Sequence, residues 1–478
     1  MFRFFAKSVL IYGIASSIGK FIGFFLVPIY TRVFSPEQYG IIDLISTVVS
    51  FLAILGMLQL ESAISRYYYE AKDNYKRIQF ISTAFWTIAV SSVLWTVLTL
   101  LFAKTLSIAL FNTPEYKNII LLASFIIPVS NLFGYFTVIM RFLKKPVHFT
   151  IIVLTQILAS VGISIWLVVI ERIGVIGVFI GQLSGFFIGC VVMLIYLRSF
   201  ISLHWNKRVL IEFFRYSLPL VPSVAGTWIN SYANRFIMLG YLTVTDIGLY
   251  TVALKISSVF ALFQNAFSMA WGPYFWETLK KPEHKEIYKK LSIYVTVIVF
   301  AMVVIFAFFA KELLILLTTD AYIAAAPLVG LLAFSAGITM VNPTIGVGPQ
   351  IVKKTEYVTG ILLISVMVNV GSLFILVPYV GLIGVPISLL IGSIAMFIIS
   401  WYISEKLYFI GFYKLKFILI FISTLILVGI VTFMNIILSV KIIFLLIILS
   451  AVMIYLKRNP ALVDQLKKDF GKGELDQA

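Results

Sequence analysis

Cysteine is almost missing from this sequence, with one residue, Cys190, in 478. A lone thiol inside an apolar segment forms no internal disulfide and leaves no cysteine cluster for a structural zinc ion. Charge is scarce as well. Only 12% of residues are Asp, Glu, Lys or Arg, where soluble domains carry about a quarter. The three histidines, His148, His204 and His284, are scattered beside basic residues at or beyond the inner ends of apolar runs. Also missing are a Walker-type phosphate loop, a dinucleotide-binding fingerprint and an HExxH zinc motif. These absences exclude the commonest nucleotide-, NAD- and metal-dependent enzymes.

Apolar sequence fills the space. The chain is 61% hydrophobic, and its mean hydropathy is +1.05. Runs of about 20 apolar residues recur from end to end, enough to cross a hydrocarbon core of roughly 30 Å as helices. A large soluble bundle would show polar faces, and a transmembrane barrel would show short segments of alternating polarity. Neither pattern is present. The chain is therefore expected to be an all-α polytopic membrane protein. Its first apolar stretch, Val9 to Ile29, lacks a small-residue cleavage site and is expected to be a permanent span.

The runs predict about fourteen spans. Six lie at roughly 9–30, 40–64, 80–103, 119–140, 148–170 and 175–197. Six more lie at roughly 217–240, 247–270, 291–311, 325–348, 357–378 and 383–403. The last two are at roughly 417–437 and 441–456, before a polar tail. The net charge of +17 would suggest nucleic acid in a soluble protein; here its distribution describes topology. With the N-terminus inside, 28 of the 37 Lys and Arg residues fall on the cytoplasmic side and six outside. Three, Lys20, Arg235 and Lys255, remain in or beside spans. This positive-inside bias predicts a cytoplasmic membrane protein with both termini inside and no nucleic-acid partner. The outer loops, such as SPEQYG, ERIGVIG and YLTVTDIG, are too short for an external domain. The longest inner loop, ETLKKPEHKEIYKKLS, is expected to form an amphipathic helix on anionic lipid.

The chain also starts again at its middle. VFSPEQYGII near the N-terminus is echoed by LTVTDIGLY, and aligning Gly40 with Gly248 places Ser35 on Thr243. The closing RYYYE and PYFWE then match with one residue's slip. Six spans per repeat put both repeats in the membrane with the same orientation. The expected units are a six-helix lobe at 1–210, a second at 211–410, spans thirteen and fourteen at 411–456, and a cytoplasmic tail at 457–478. Two such lobes around a cleft are the architecture of an alternating-access carrier, and one chain suffices as a monomer.

Polar residues inside the spans mark the candidate site. A Lys or Arg at a span centre costs about 2.5–3.5 kcal/mol on insertion scales. Lys20 lies midway along span one; Arg235 and Lys255 lie toward the outer parts of spans seven and eight. The plainer account of all three is snorkelling to the interface. Asn230 and Asn234 in span seven, and Gln264 and Asn265 in span eight, can bind sugar hydroxyls or tie helices together. These seven residues are the candidate substrate-binding set. Glu61, Arg66 and Asp43 are candidates for gating or ion coupling, with a simple helix-end pairing as the alternative for Glu61. Asn342 and Gln350, with Pro343 and Pro349, point to a broken helix end in span ten. Cations beside amides suit an anionic, sugar-bearing head group better than a cationic drug. Without an ATP site, the drive is an ion gradient, the membrane potential, or consumption of product outside. The potential supplies about 2.3 kcal/mol per charge per 100 mV.

FAKSVLIYGIASSIGKFIGFFLVPIYTRVFSPEQYGIIDL, FFRYSLPLVPSVAGTWINSYANRFIMLGYLTVTDIGLYTVALKIS and MAWGPYFWE resemble the Wzx-type polysaccharide-unit flippases. These belong to the multidrug/oligosaccharidyl-lipid/polysaccharide exporter superfamily, and the resemblance covers nearly the whole chain. It implies a MATE-like fold and export of undecaprenyl-diphosphate-linked oligosaccharide from the inner to the outer leaflet, for surface polysaccharide such as O-antigen or capsule. It implies no enzymatic step and no cofactor, coupling to Na+ or H+, and work beside a polymerase and glycosyltransferases. Spans thirteen and fourteen would shelter the lipid tail. Two alternatives stay open: an ion-coupled small-molecule exporter of the same superfamily and a peptidoglycan-precursor flippase. The arginine cluster of the latter's first two helices is not reproduced, since that region offers Lys20 and then Arg32 at the outer edge. A polymerising enzyme would need a larger outer loop.

Overall fold

The computed structural model describes residues 22–71, 73–354, 356–434 and 437–457. It is all helical there and divides into two compact units, Met1–Thr251 and Val252–Ala478. The division falls inside a helix, about 40 residues beyond the 210/211 boundary expected from the repeat.

The first unit begins with α1 (Ile22–Val33) and α2 (Pro36–Met57). Ser35 and Gln38 close a reciprocal capping box on α2: the Gln38 amide donates to Ser35 Oγ at 3.3 Å, and the Ser35 amide donates to Gln38 Oε1 at 3.1 Å. α2 stops at Leu58 and Gln59, both left-handed (φ 52° and 54°), and α3 (Leu60–Glu70) resumes. Two non-glycine residues in that region cost of order 1–3 kcal/mol each, so this break is held by its surroundings. α4 (Asn74–Phe111) follows, then α5 (Lys117–Ser124) and α6 (Ile126–Phe142). α7 (Pro146–Ile165) and α8 (Val175–Leu197) form a hairpin. Gly181 lies against Ser164 and Gly185 against Ser160, so close that a methyl group at either glycine would collide. Small residues in register let two membrane helices gain contact that lipid cannot supply.

Asn131 on α6 is the polar tie of this unit. Its amide donates to Ala53 O on α2 at 2.9 Å and to Ser92 Oγ on α4 at 2.8 Å. Replacing Asn131 by Ala removes both bonds from a buried site and is expected to cost about 1–3 kcal/mol. Thermal unfolding in detergent measures this.

α9 (Lys207–Ser217) is a short amphipathic helix that the sequence reading did not separate. Asn206 caps it, and Val209, Phe213 and Ser217, spaced by four, form its buried face, packed on α3. The unit ends with α10 (Val221–Leu239), which packs on α2, and with the first part of α11 (Val244–Ser257).

The second unit continues through α12 (Val259–Thr278) and α13 (His284–Phe308). Here the expected separate surface helix does not form. Lys285, Lys289 and Lys290 occupy the first turns of α13 itself, because nothing after Glu283 interrupts helix formation before the apolar run. α14 (Ala310–Leu317) and α15 (Ala326–Ile345) follow, with Pro343 near the end of α15 and the four-residue α16 (Gly348–Ile351) after it. The broken end expected of span ten is this pair. α17 (Glu356–Val380) and α18 (Gly384–Leu407) make a hairpin; α19 (Lys414–Phe433) and α20 (Leu438–Lys457) close the chain. The core is aromatic, with Phe300, Phe334 and Phe397 packed around Phe421.

Among the described residues ten stretches are long and apolar enough to cross a membrane, not the fourteen expected. The 52-residue run Glu356–Leu407, which contains α17 and α18, counts as one of them. The described parts of α1 and α20 are shorter apolar helices, and α10 does not qualify. Asn230, Ser231, Asn234 and Arg235 make α10 polar for its length.

Candidate functional site

The polar residues of α10 have partners on α2 and α11, and all of these lie in the first unit. Arg235 is 3% exposed and Asp43, on α2, 15%. Arg235 Nε donates to Asp43 Oδ2 at 2.9 Å, and Nη1 donates to the Ser231 carbonyl at 2.7 Å. The guanidinium carbon stands 5.1 Å from the ring centre of Tyr232 and 5.3 Å from that of Tyr250. Asn234, also buried, donates to Tyr250 Oη at 3.4 Å, and its own Oδ1 has no hydrogen-bond partner among the described residues. A cation held by one carboxylate, one carbonyl and two aromatic faces is neutralised without water.

Local sequence places these groups. Thr243 and Asp246 cap α11 as Ser35 and Gln38 cap α2. The Asp246 amide donates to Thr243 Oγ1 at 3.2 Å, and the Thr243 amide donates to Asp246 Oδ2 at 3.0 Å. Five residues beyond each cap stands a glycine, Gly40 or Gly248, and the two meet. A Cβ on Gly40 would run into the Val244 carbonyl oxygen, and one on Gly248 into that of Pro36. The helices therefore touch backbone to backbone, with no room for any side chain. Asp43 lies one turn beyond Gly40 on α2. Two turns down α10 from Arg235, Trp228 donates from Nε1 to Ser50 Oγ at 2.9 Å and stacks on Tyr232 with ring centres 5.6 Å apart.

The structure thus brings Arg235, Asp43 and Asn234 together. Lys20 lies outside the described residues. Asn230 is half-buried on α10; Lys255, Gln264 and Asn265 are half-buried on α11 and α12 in the second unit. Glu61 stands in the first turn of α3, just past the Leu58–Gln59 break, and its carbonyl accepts from Ser65 Oγ at 2.6 Å. Arg66 pairs with Glu70 at 3.2 Å rather than with Glu61, and stacks on Tyr67 and Tyr216 at the exposed end of α3. Among the described residues no group of three or more His, Cys, Asp or Glu could hold a metal ion.

Sequence reasoning missed Tyr232, Tyr250 and the Trp228–Ser50 bond. It had the glycine alignment but not the contact between the two glycines. The signal that was available is the pair of capping boxes, S-x-x-Q at 35–38 and T-x-x-D at 243–246.

The profile of the family described as "Polysaccharide biosynthesis protein" matches residues 29–327. The succinoglycan biosynthesis transport protein ExoT of Rhizobium meliloti is 23% identical over 345 residues, 68% of this chain and 65% of its own length. An uncharacterized membrane protein of Methanocaldococcus jannaschii, MJ1068, is 26% identical over 216 residues, 42% of this chain and 41% of its own. The chain thus spans less than two thirds of either relative. Among solved structures, the lipid II flippase MurJ in its inward closed conformation superposes with a TM-score of 0.74 at 17% identity, covering 95% of this chain and 100% of that one. An inward-facing multidrug resistance MATE transporter of the MOP superfamily gives 0.62 at 15% identity, covering 84% and 97%. The chain belongs to the polysaccharide biosynthesis protein family, and it is a polytopic membrane protein with the fold seen in MurJ and in the MATE transporters.

Proposed function

We propose that this protein is a cytoplasmic-membrane flippase that carries an undecaprenyl-diphosphate-linked oligosaccharide from the inner to the outer leaflet by alternating access. One observation carries the reading beyond family membership: a guanidinium on α10 buried against α2 and α11, held by a single carboxylate and flanked by tyrosines. A diphosphate can take over the carboxylate's place on such a group, and tyrosine faces suit sugars. The carrier has fourteen spans. α17 and α18 each cross, since 25 and 24 residues are about 36 Å of helix apiece. α10 crosses despite its polarity, and α1 and α20 complete the count. Its body consists of six-helix lobes at 1–210 and 211–410, and 411–456 forms the accessory pair.

The substrate path takes in Lys20, Arg235, Lys255, Asn230, Asn234, Gln264 and Asn265. The Gly40–Gly248 contact and the Asp43–Arg235 pair close its outer end, while Glu61 and Arg66 act toward the cytoplasmic mouth. Na+ or H+ couples the cycle. The carrier works as a monomer beside the glycosyltransferases and polymerase of its pathway, with no chemical step of its own. A second reading is an ion-coupled exporter of small molecules, supported by the MATE fold and by a carboxylate, Asp43, set to exchange a cation. A peptidoglycan-precursor flippase is the third, supported by the likeness to MurJ.

Ligand binding separates them. Polyprenyl-diphosphate oligosaccharide is expected to raise the melting temperature of the purified protein by several degrees at saturation, about 2.7 kcal/mol at a hundredfold excess over Kd. Lipid II and a cationic drug such as ethidium are expected to do so less. Stabilisation by the drug alone, in a Na+-dependent manner, would replace the flippase with the exporter.

A further inference from the structure

An apolar groove of about 570 Å3 runs between α2, α4 and α10 of the first unit. Phe51, Leu52, Trp95, Phe102, Trp228 and Phe236 form most of its wall, and it presents no polar surface. We infer that this groove holds the polyprenyl tail of the transported lipid in the outer half of the membrane while its diphosphate sits at Arg235. The inference rests on the function proposed above and adds a binding site to it.

Three observations point there. First, the groove and the cation share one wall. Phe51 lies 4.6 Å from Trp228 and Phe236 6.0 Å, ring centre to ring centre; Trp228 stacks on Tyr232, and Tyr232 lies under the Arg235 guanidinium. An unbroken aromatic ladder therefore leads from the hydrocarbon slot to the charge. The indole nitrogen of Trp228 in that ladder is already satisfied by Ser50.

Second, the depth is right. On α2 the groove starts at Val48, five residues inward of Asp43 and so about 7.5 Å deeper. On α4 it runs from Trp95 to Leu106, about 16 Å along the axis. A chain hanging from a head group at the ion pair enters the slot directly. Third, the charges fit. Among the described residues Arg235 Nη2 makes no hydrogen bond, so one further oxygen can join without breaking the Ser231 contact. If a phosphate oxygen displaces Asp43, head and tail are both seated. Methyl-branched isoprene units present broad faces to aromatic rings along their whole length, and burial against rings is a large gain per unit area.

The test uses the full chain in nanodiscs and a polyprenyl diphosphate carrying a diazirine in its first isoprene units. After irradiation, adducts are expected on 48–52, 95–106 and 228–236, competed by unlabelled polyprenyl diphosphate and not by phosphatidylglycerol. Filling the groove with Val48→Phe and Leu98→Phe is expected to cut those adducts at least tenfold, about 1.4 kcal/mol. Binding of a short-tailed diphosphate should be unchanged, which also shows that the variant is folded. Equal labelling by a phospholipid bearing the same diazirine makes the groove an ordinary lipid crevice and overturns the inference. So do adducts elsewhere together with normal transport by the filled variant, which would leave the flippase standing. No binding of any polyprenyl diphosphate by the wild type removes both.

Discussion

A leucine in place of Gly248 is expected to hold α2 and α11 apart and leave the outer end of the site permanently open. The contact it interrupts is backbone on backbone. A Cβ alone would overlap the Pro36 carbonyl oxygen and stand 3.0 Å from the Gly40 nitrogen. Rotation of a side chain cannot relieve this, because both colliding groups are main chain. Overpacking costs typically about 1–3 kcal/mol, so the touching state should lose up to about a hundredfold in population. The readout is a cysteine at Thr47, buried one turn inward of Asp43, in a Cys190→Ser background. A membrane-impermeant maleimide added outside should label it many times faster when Gly248 is leucine. Gly248→Ala should give an intermediate rate. Equal rates in all three would mean that the glycine contact does not control access.

The second large effect concerns the ion pair. Asp43→Ala leaves an arginine that is 3% exposed with no counter-charge. Stranding a buried charge this way costs about 3–5 kcal/mol, a large part of the stability of a marginally stable protein. Arg235→Ala should cost less, because Asp43 is 15% exposed and can recruit water. The double substitution should be less harmful than Asp43→Ala alone, since neither charge is then stranded. The cycle should therefore be strongly non-additive. Arg235→Lys should not rescue: an ammonium cannot bond Asp43 through Nε, reach the Ser231 carbonyl and lie between two tyrosine faces at once. Melting temperatures of the four proteins in one detergent decide the matter, and simple additivity would show the pair to be incidental.

Much of the fold was legible because its determinants are local. Apolar length gave the helices, and the S-P-E-Q and T-V-T-D turns that announce the repeat are the caps that start α2 and α11. What remained hidden depends on packing. Asp43 and Arg235 are 192 residues apart, and no pattern in either helix names the other. Each was assigned its own role, one as gate and one as substrate contact, where the structure makes them a pair. The break at Leu58–Gln59 contains neither proline nor glycine, so its left-handed turn has no sequence signature. The basic run after Glu283 reads as a separate surface element because its composition is amphipathic. Its continuity into α13 follows from the lack of any helix breaker after Glu283, which composition alone does not report. α9 was overlooked for the opposite reason: eleven residues are too few to stand out between spans.

Transport itself is the most direct test of what the protein does. Proteoliposomes containing the purified chain are loaded with a fluorescent polyprenyl-diphosphate oligosaccharide, and dithionite added outside reports how much label reaches the outer leaflet. The account predicts rapid loss of all the fluorescence with wild type, and loss of only the half initially outside with Gly248→Leu or with empty vesicles. Protection of the inner half by wild type, alongside Na+- or H+-driven efflux of ethidium from the same vesicles, would contradict it and identify a small-molecule exporter.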